Sequence, residues 1–171
     1  MKKYVTIETR LITLDDFESI QNFTCGNTSI ENFLKQEAYY LTITRECSTT
    51  LAFDQGELIG FFSLRKSTLQ VELENECIDY PCLDIARIAT AKGKQGLGYG
   101  SFLINQIIRI AHTVNERFIT LEALIERYPW YKSRGFDALI EEEALNSNKD
   151  GLVFMMADLY DERLVDKFFE E

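Results

Sequence analysis

The chain begins with an alternating segment, Tyr4-Val5-Thr6-Ile7-Glu8-Thr9, whose two-residue period predicts a strand. From Asp15-Asp16 the spacing becomes helical, with Phe17, Ile20 and Phe23 on one face. A second helical run carries Ile30, Phe33, Leu34, Ala38 and Leu41 as its apolar stripe, and Thr28 or Ser29 is placed to cap it. Two helices therefore precede the main sheet. Thr49–Phe53 and Leu58–Leu64 then flank Asp54-Gln55-Gly56-Glu57, the pattern of a hairpin whose glycine supplies a left-handed turn position. The acidic stretch Val71–Cys82 shows no clean period, ends in Tyr80-Pro81 and reads as a loop.

The second half is more regular. Leu83–Thr90 reads as a strand, Gln95–Gly100 as a glycine-rich turn, and Tyr99–Asn115 as a helix with Phe102, Leu103, Ile107, Ile110, Ala111 and Val114 on one stripe. Phe118–Leu124 reads as a strand, Glu126–Ser133 as a short helix stopped by Gly135-Phe136, and Gly151–Ala157 as a last strand. An acidic amphipathic tail with Leu164, Val165, Phe168 and Phe169 follows. This order predicts an α/β (mixed α+β) fold in one domain over residues 1–171: a strongly twisted mixed sheet with helices on both faces.

Charge narrows the chemistry. The 28 acidic and 18 basic residues leave a net charge of −10, which argues against a general nucleic-acid-binding surface. Residues 85–135 reverse the balance with 8 bases against 3 acids, and they contain the glycine turn, as an anionic ligand would require. A basic, solvated helix face is the plainer explanation of the same numbers. Cys25, Cys47, Cys77 and Cys82 form no Cys-x-x-Cys pair, and His112 is the single histidine, lying within a helical pattern. The expectation is free thiols, no metal, and no catalytic dyad or triad built on histidine. No apolar run reaches the length of a signal core or a membrane span, so the expected location is cytoplasmic, with no membrane partner.

A glycine turn between a strand and a helix brings bare backbone to a phosphate and aims the amides of the helix start at it. Gly96, Gly98 and Gly100 alternate here, with Lys92 and Lys94 just upstream. A P-loop needs Gly-Lys-Ser/Thr, whereas this chain has Gly100-Ser101-Phe102. A dinucleotide-binding turn needs a different glycine spacing in an early βαβ unit.

The run Ile88-Ala89-Thr90 followed by Gln95-Gly96-Leu97-Gly98-Tyr99-Gly100 resembles the acetyl-CoA site of the GNAT superfamily, whose pattern is Gln/Arg-x-x-Gly-x-Gly/Ala. Trp130-Tyr131-Lys132-Ser133-Arg134-Gly135-Phe136 resembles that family's late Phe-Tyr-x-x-x-Gly-Phe motif, in the same order along the chain. The resemblance implies acetyl-CoA as co-substrate. Amides of Ile88, Ala89 and Thr90 would face the thioester and pantetheine arm, and those of Gln95, Gly96, Leu97, Gly98, Tyr99, Gly100 and Ser101 the pyrophosphate. It also implies that Tyr131 is the general acid protonating the leaving thiolate. For the base, Glu122 is nearest by motif order, Glu126 is second, and a water chain competes with both. The chain departs from the family at Ile125, where asparagine is frequent, and its connection to Tyr131 is one residue short; Tyr128 is the alternative acid.

Phe23-Thr24-Cys25-Gly26-Asn27-Thr28-Ser29-Ile30-Glu31-Asn32-Phe33-Leu34, with Ile85-Ala86-Arg87-Ile88-Ala89, is similar to the branch of acetyltransferases that includes toxins acting on aminoacyl-tRNA. The expected activity is direct acetyl transfer to a primary amine in a ternary complex. The acceptor classes are a small molecule, a protein N-terminus or lysine, or aminoacyl-tRNA. A homodimer or an antitoxin is the implied protein partner. The rival readings are a tRNA-acetylating toxin and a catalytically silent acyl-CoA-binding module.

Overall fold

A computed structural model describes residues 6–141, 144 and 151–170; Tyr4 and Val5 of the expected first strand lie outside them. Of the described part of that segment, Glu8 and Thr9 fall in β1 (Glu8–Leu11), while Thr6 and Ile7 precede it. Thr13 then closes the first turn of helix, its backbone N–H and hydroxyl both donating to Asp16 Oδ2, at 2.8 and 3.0 Å. Arg10 adds a two-pronged ion pair to the same carboxylate, which is 2% exposed. A buried charge survives only with such partners. Helix α1 (Phe17–Gln21) buries Ile20, with Phe23 buried just beyond it, but Phe17 stands 67% exposed, so the expected three-residue face holds for two.

The cap of α2 (Thr28–Asn32) is neither Thr28 nor Ser29. Asn27 has extended backbone, and its side chain accepts from the Ile30 N–H at 3.2 Å. Asn, Thr and Ser cap almost equally well, so the residue with the non-helical backbone decides. The run from Thr28 to Ile43 is helical throughout, but Phe33–Glu37 forms a π-helical turn before α3 (Ala38–Ile43). The Ala38 N–H reaches back to the Phe33 carbonyl, which inserts one residue into the helical phase. Phe33, Leu34 and Ala38 stay buried, and after the insertion Thr42 is buried while Leu41 is half-buried against the same core. Its hydroxyl donates to the Ala38 carbonyl at 2.7 Å and accepts from the Thr49 N–H at 3.2 Å, tying α3 to β2 (Ser48–Asp54).

The chain resolves into two compact units, one of residues up to Ser67 together with Asp84–Ile110, the other of Thr68–Leu83 together with Ala111 onward. In the first, β1, β2, the start of β3 (Glu57–Leu73) and the end of β4 (Glu76–Thr90) lie side by side in that order. The β2–β3 hairpin turns on Gln55 and Gly56, at φ 51° and 82°, the two left-handed positions of a tight hairpin. Its core gathers Ile20, Phe23, Phe33, Leu34, Leu51 and Phe61, with the Phe23 and Phe61 rings edge to face. The long helix α4 (Tyr99–Thr113) buries Leu103, Ile104 and Ile107.

The second unit orders the remaining strand segments as β3, β4, β5 (Phe118–Leu124), β7 (Leu152–Asp158) and β6 (Asp137–Ala138). β5 runs antiparallel to β7, with Glu122 opposite Phe154; β6 flanks β7. Val71–Cys82 is not a loop. Strands β3 and β4 continue through it as a hairpin arm, turned at Glu74 with φ 52°. Helix α5 (Tyr128–Lys132) is closed off by a turn through Gly135, φ 91°, after which the Phe136 N–H bonds back to the Tyr131 carbonyl. Helix α6 (Glu162–Glu170) leaves Leu164, Phe168 and Phe169 well exposed. Among the described residues, seven strands with interleaved helices give the mixed α/β class expected from the hydrophobic pattern. Among the described residues no helix is long and apolar enough to cross a membrane.

Candidate active site

The first unit holds the glycine turn. β4 ends at Thr90, the Ala91 N–H continues onto the Ile59 carbonyl at 2.9 Å, and the Lys92 N–H onto the Thr24 carbonyl at 2.7 Å. Gly60 is why β3 and the end of β4 can lie so close. A Cβ there would sit 2.7 Å from the Ala89 carbonyl oxygen and 3.0 Å from Leu103 Cδ1. The chain then turns through Gly96 and Gly98, at φ 78° and 89°, conformations that disfavour any side chain. A Cβ at either would meet nothing within 4 Å, so the space over the turn is open to a ligand. Gly100, inside α4, has no left-handed φ, so only two of the three glycines are required by backbone conformation.

The Phe102 N–H accepts no ligand duty, since it bonds the Gly98 carbonyl at 3.1 Å and so opens the helical ladder. The amides of Tyr99 and Gly100, one turn earlier, have no helical carbonyl to reach and point out of the N-terminal end of α4. Such an end attracts anions through its donors and its dipole. Bare glycine backbone beside exposed helix amides fits a pyrophosphate.

Side chains brace this turn. Gln95 Nε2 donates to the Cys25 carbonyl at 3.0 Å and the Thr90 carbonyl at 3.4 Å, joining the Phe23–Asn27 segment to the end of β4. Glu31 caps the same segment by accepting from the Cys25 and Gly26 amides, at 2.8 and 3.0 Å, and these bonds with the first as the main cause hold its carboxyl below the usual range. Burial pushes the Cys25 thiol up, away from nucleophilic thiolate. The Tyr99 hydroxyl donates to Asp54 Oδ2 at 2.5 Å, and Lys94 pairs with Glu57 at 2.9 Å.

The second unit holds the candidate acid. Tyr131 lies in α5 within an aromatic stack, its ring edge-on to Trp130 at 4.9 Å and to Phe136 at 5.9 Å. Arg134 lies over Trp130, 3.7 Å from the ring centroid, and donates to its carbonyl. Burial pushes the Tyr131 phenol up to about 12, against the opposing pull of Arg127 and Arg134. It is therefore protonated at neutral pH. Tyr128 differs, for its hydroxyl accepts from Lys132 at 3.1 Å and faces Asp137 at 3.4 Å. Glu122 and Glu126 are both exposed, Glu122 on β5 and Glu126 in the turn before α5. No cluster of three or more metal-ligating side chains occurs among the described residues.

With this geometry in place, the profile of the Acetyltransferase (GNAT) family matches residues 14–136, from the first helical turn through the glycine turn to the Phe136 stop. The chain belongs to the GNAT acetyltransferase family. No curated protein matches its sequence. Solved structures share the GNAT fold at low identity. A bacterial toxin aligns at TM-score 0.74 with 17% identity, over 98% of this chain and 97% of its own. AtaT in complex with acetyl-methionyl-tRNAfMet aligns at 0.69 and 18%, over 96% and 99%. A tyrosine-to-phenylalanine mutant of KacT aligns at 0.68 and 20%, over 95% and 99%.

Three features of this GNAT chain escaped the reading of its sequence. Gly60 and Asp54 act through contacts with residues 29 and 45 positions away, which no local pattern reports. Gln95 was legible as a motif residue, but not the use of its side chain as a strut.

Proposed function

We propose that this GNAT chain, a single catalytic domain over residues 1–171, is a cytoplasmic acetyl-CoA-dependent N-acetyltransferase acting on a primary amine by direct transfer. The observation that carries the reading is the open turn at Gly96 and Gly98 against the amide end of α4. In this scheme backbone groups of Gln95 to Ser101 take the pyrophosphate, and Ile88, Ala89 and Thr90 the pantetheine arm and thioester carbonyl. The neutral amine attacks the thioester carbon, forming a C–N bond while the C–S bond breaks. Its surplus proton leaves to Glu122 or through water, Glu122 being open to solvent. The departing thiolate takes the Tyr131 proton, and solvent restores the phenol. A phenol held near 12 is reliably loaded for that step.

A second reading is favoured by the company of solved structures, which includes a bacterial toxin and AtaT with acetyl-methionyl-tRNAfMet. It makes the acceptor the amino group of an aminoacyl-tRNA and the protein partner an antitoxin. A silent acyl-CoA-binding module would need no loaded acid. The test is transfer of isotopically labelled acetyl from acetyl-CoA to a small amine, a peptide with a free N-terminus, a lysine peptide and charged tRNA. Label in any one class names the acceptor; turnover confined to charged tRNA selects the second reading, and no transfer to any of them contradicts the enzyme reading.

A further inference from the structure

Resting on the cofactor assignment above, the geometry points to Asp54 as a positioning residue for the pyrophosphate turn, acting through Tyr99. Asp54 ends β2, next to the Gln55-Gly56 turn, and is far in sequence from any cofactor motif. Tyr99 is the first residue of α4 and immediately follows Gly98. Its hydroxyl donates to Asp54 Oδ2 at 2.5 Å, and this bond, as the main cause, raises the Tyr99 pKa, so the donor stays protonated.

Asp54 has a second peculiarity. Its other oxygen, Oδ1, is buried and has no hydrogen-bond partner among the described residues. Withdrawing a carboxylate oxygen from water without a partner is unfavourable, and a site selected only for packing would favour an apolar side chain. Placing carboxylates at Asp54 and Glu57 beside a turn that receives a polyanion is also unfavourable for binding. The arrangement makes sense if the bond to Tyr99 fixes where α4 begins. Gly96 and Gly98 have left-handed backbone and no side chains, so the turn has little of its own to hold it. A tether at its exit, opposite the Gln95 strut at its entry, holds the helix amides where the phosphates need them. The neighbouring Lys94–Glu57 pair cannot substitute, because Glu57 is 63% exposed and solvent screens the pair.

The test measures CoA affinity by calorimetry, and kcat and the acetyl-CoA KM on an accepted amine, for Asp54→Ala, Asp54→Asn, Tyr99→Phe and the double variant Asp54→Ala/Tyr99→Phe. Tyr99→Phe removes only a hydroxyl and keeps the ring, so a folded protein is available even if Asp54→Ala melts early. Each single loss is expected to weaken CoA binding roughly tenfold, the double variant no more than the worse single, and kcat of Asp54→Ala at saturation to stay within about twofold while its acetyl-CoA KM rises. Asp54→Asn, whose amide oxygen still accepts from Tyr99, should recover part of the affinity. Wild-type affinity in both Tyr99→Phe and Asp54→Ala, or a double variant losing the product of both effects, would overturn the positioning role while leaving the cofactor assignment intact. Failure of the wild-type protein to bind CoA would overturn both.

Discussion

Gly60→Ala isolates the close approach of β3 to the end of β4. The added methyl would lie 2.7 Å from the Ala89 carbonyl oxygen, a separation that real Cβ atoms do not tolerate, and 3.0 Å from Leu103 Cδ1. Leu103 is fully buried and has little room, and the Ala89 carbonyl belongs to a backbone pinned two residues on by the Ala91 bond to Ile59. Strand β4 must therefore move by several tenths of an ångström just where the thioester would lie. Overpacking of this kind costs about 1–3 kcal/mol. For a chain of this size, thermal melting should fall by roughly 2–4 °C per kcal/mol. Gly56→Ala is the control, because Gly56, unlike Gly60, has a left-handed φ that strains any side chain, yet a Cβ there meets nothing within 4 Å. Melting curves for both variants, with acetyl-CoA KM, make the comparison. Gly60→Ala should melt lower and raise KM, whereas Gly56→Ala should melt lower without raising KM. A Gly60→Ala protein with wild-type melting and wild-type KM would refute the close-approach argument.

Tyr131→Phe should lower kcat by about 10²–10⁴-fold with smaller changes in KM, if thiolate protonation limits the rate. Because burial pushes the phenol up to about 12, the wild-type rate should climb as the amine deprotonates and show no tyrosine-dependent fall below about pH 11; a decline near pH 10 would contradict the shift. Asp16→Asn should cost about 1–2 kcal/mol at neutral pH by weakening the Arg10 and Thr13 contacts. Burial alone would raise the Asp16 pKa, but the Arg10 and Thr13 bonds win and lower it, so its stabilisation is full above the unfolded value near 3.9 and is lost as pH falls through the lower folded value. Denaturant titrations of wild type and Asp16→Asn should therefore begin to converge below about pH 4, and a gap that widens there would show the sign to be wrong.

Legibility followed the range of the interaction. The Gln55-Gly56 hairpin, the Gly96–Gly98 turn and the α4 stripe through Leu103, Ile107 and Ala111 are set by local backbone preference and period, and they stood out, although Val114 is exposed beyond the helix end and buried Ile104 was not on the expected stripe. The arm at Val71–Cys82 did not, because its tip is exposed and acidic and only Val71, Ile78, Tyr80 and Cys82 are covered, too sparse an alternation to stand out among the acidic residues. The π turn at Phe33–Glu37 kept the apolar stripe intact up to Ala38 and shifted it only afterwards, so spacing alone could not reveal it. At the site, the motif residues were legible one by one. Their supports were not, since Gln95 to Cys25 and Tyr99 to Asp54 are side-chain bonds across long stretches of chain.

The central claim is that the turn from Gln95 to Ser101 holds the pyrophosphate of acetyl-CoA, and calorimetric titration of acetyl-CoA into wild type and Gly98→Trp tests it most directly. Gly98 has φ 89° and open space where its Cβ would lie, so an indole there strains the turn and fills the phosphate approach. The account predicts saturable one-to-one binding to the wild type and none measurable to the folded variant. Equal affinity in the two folded proteins would contradict it.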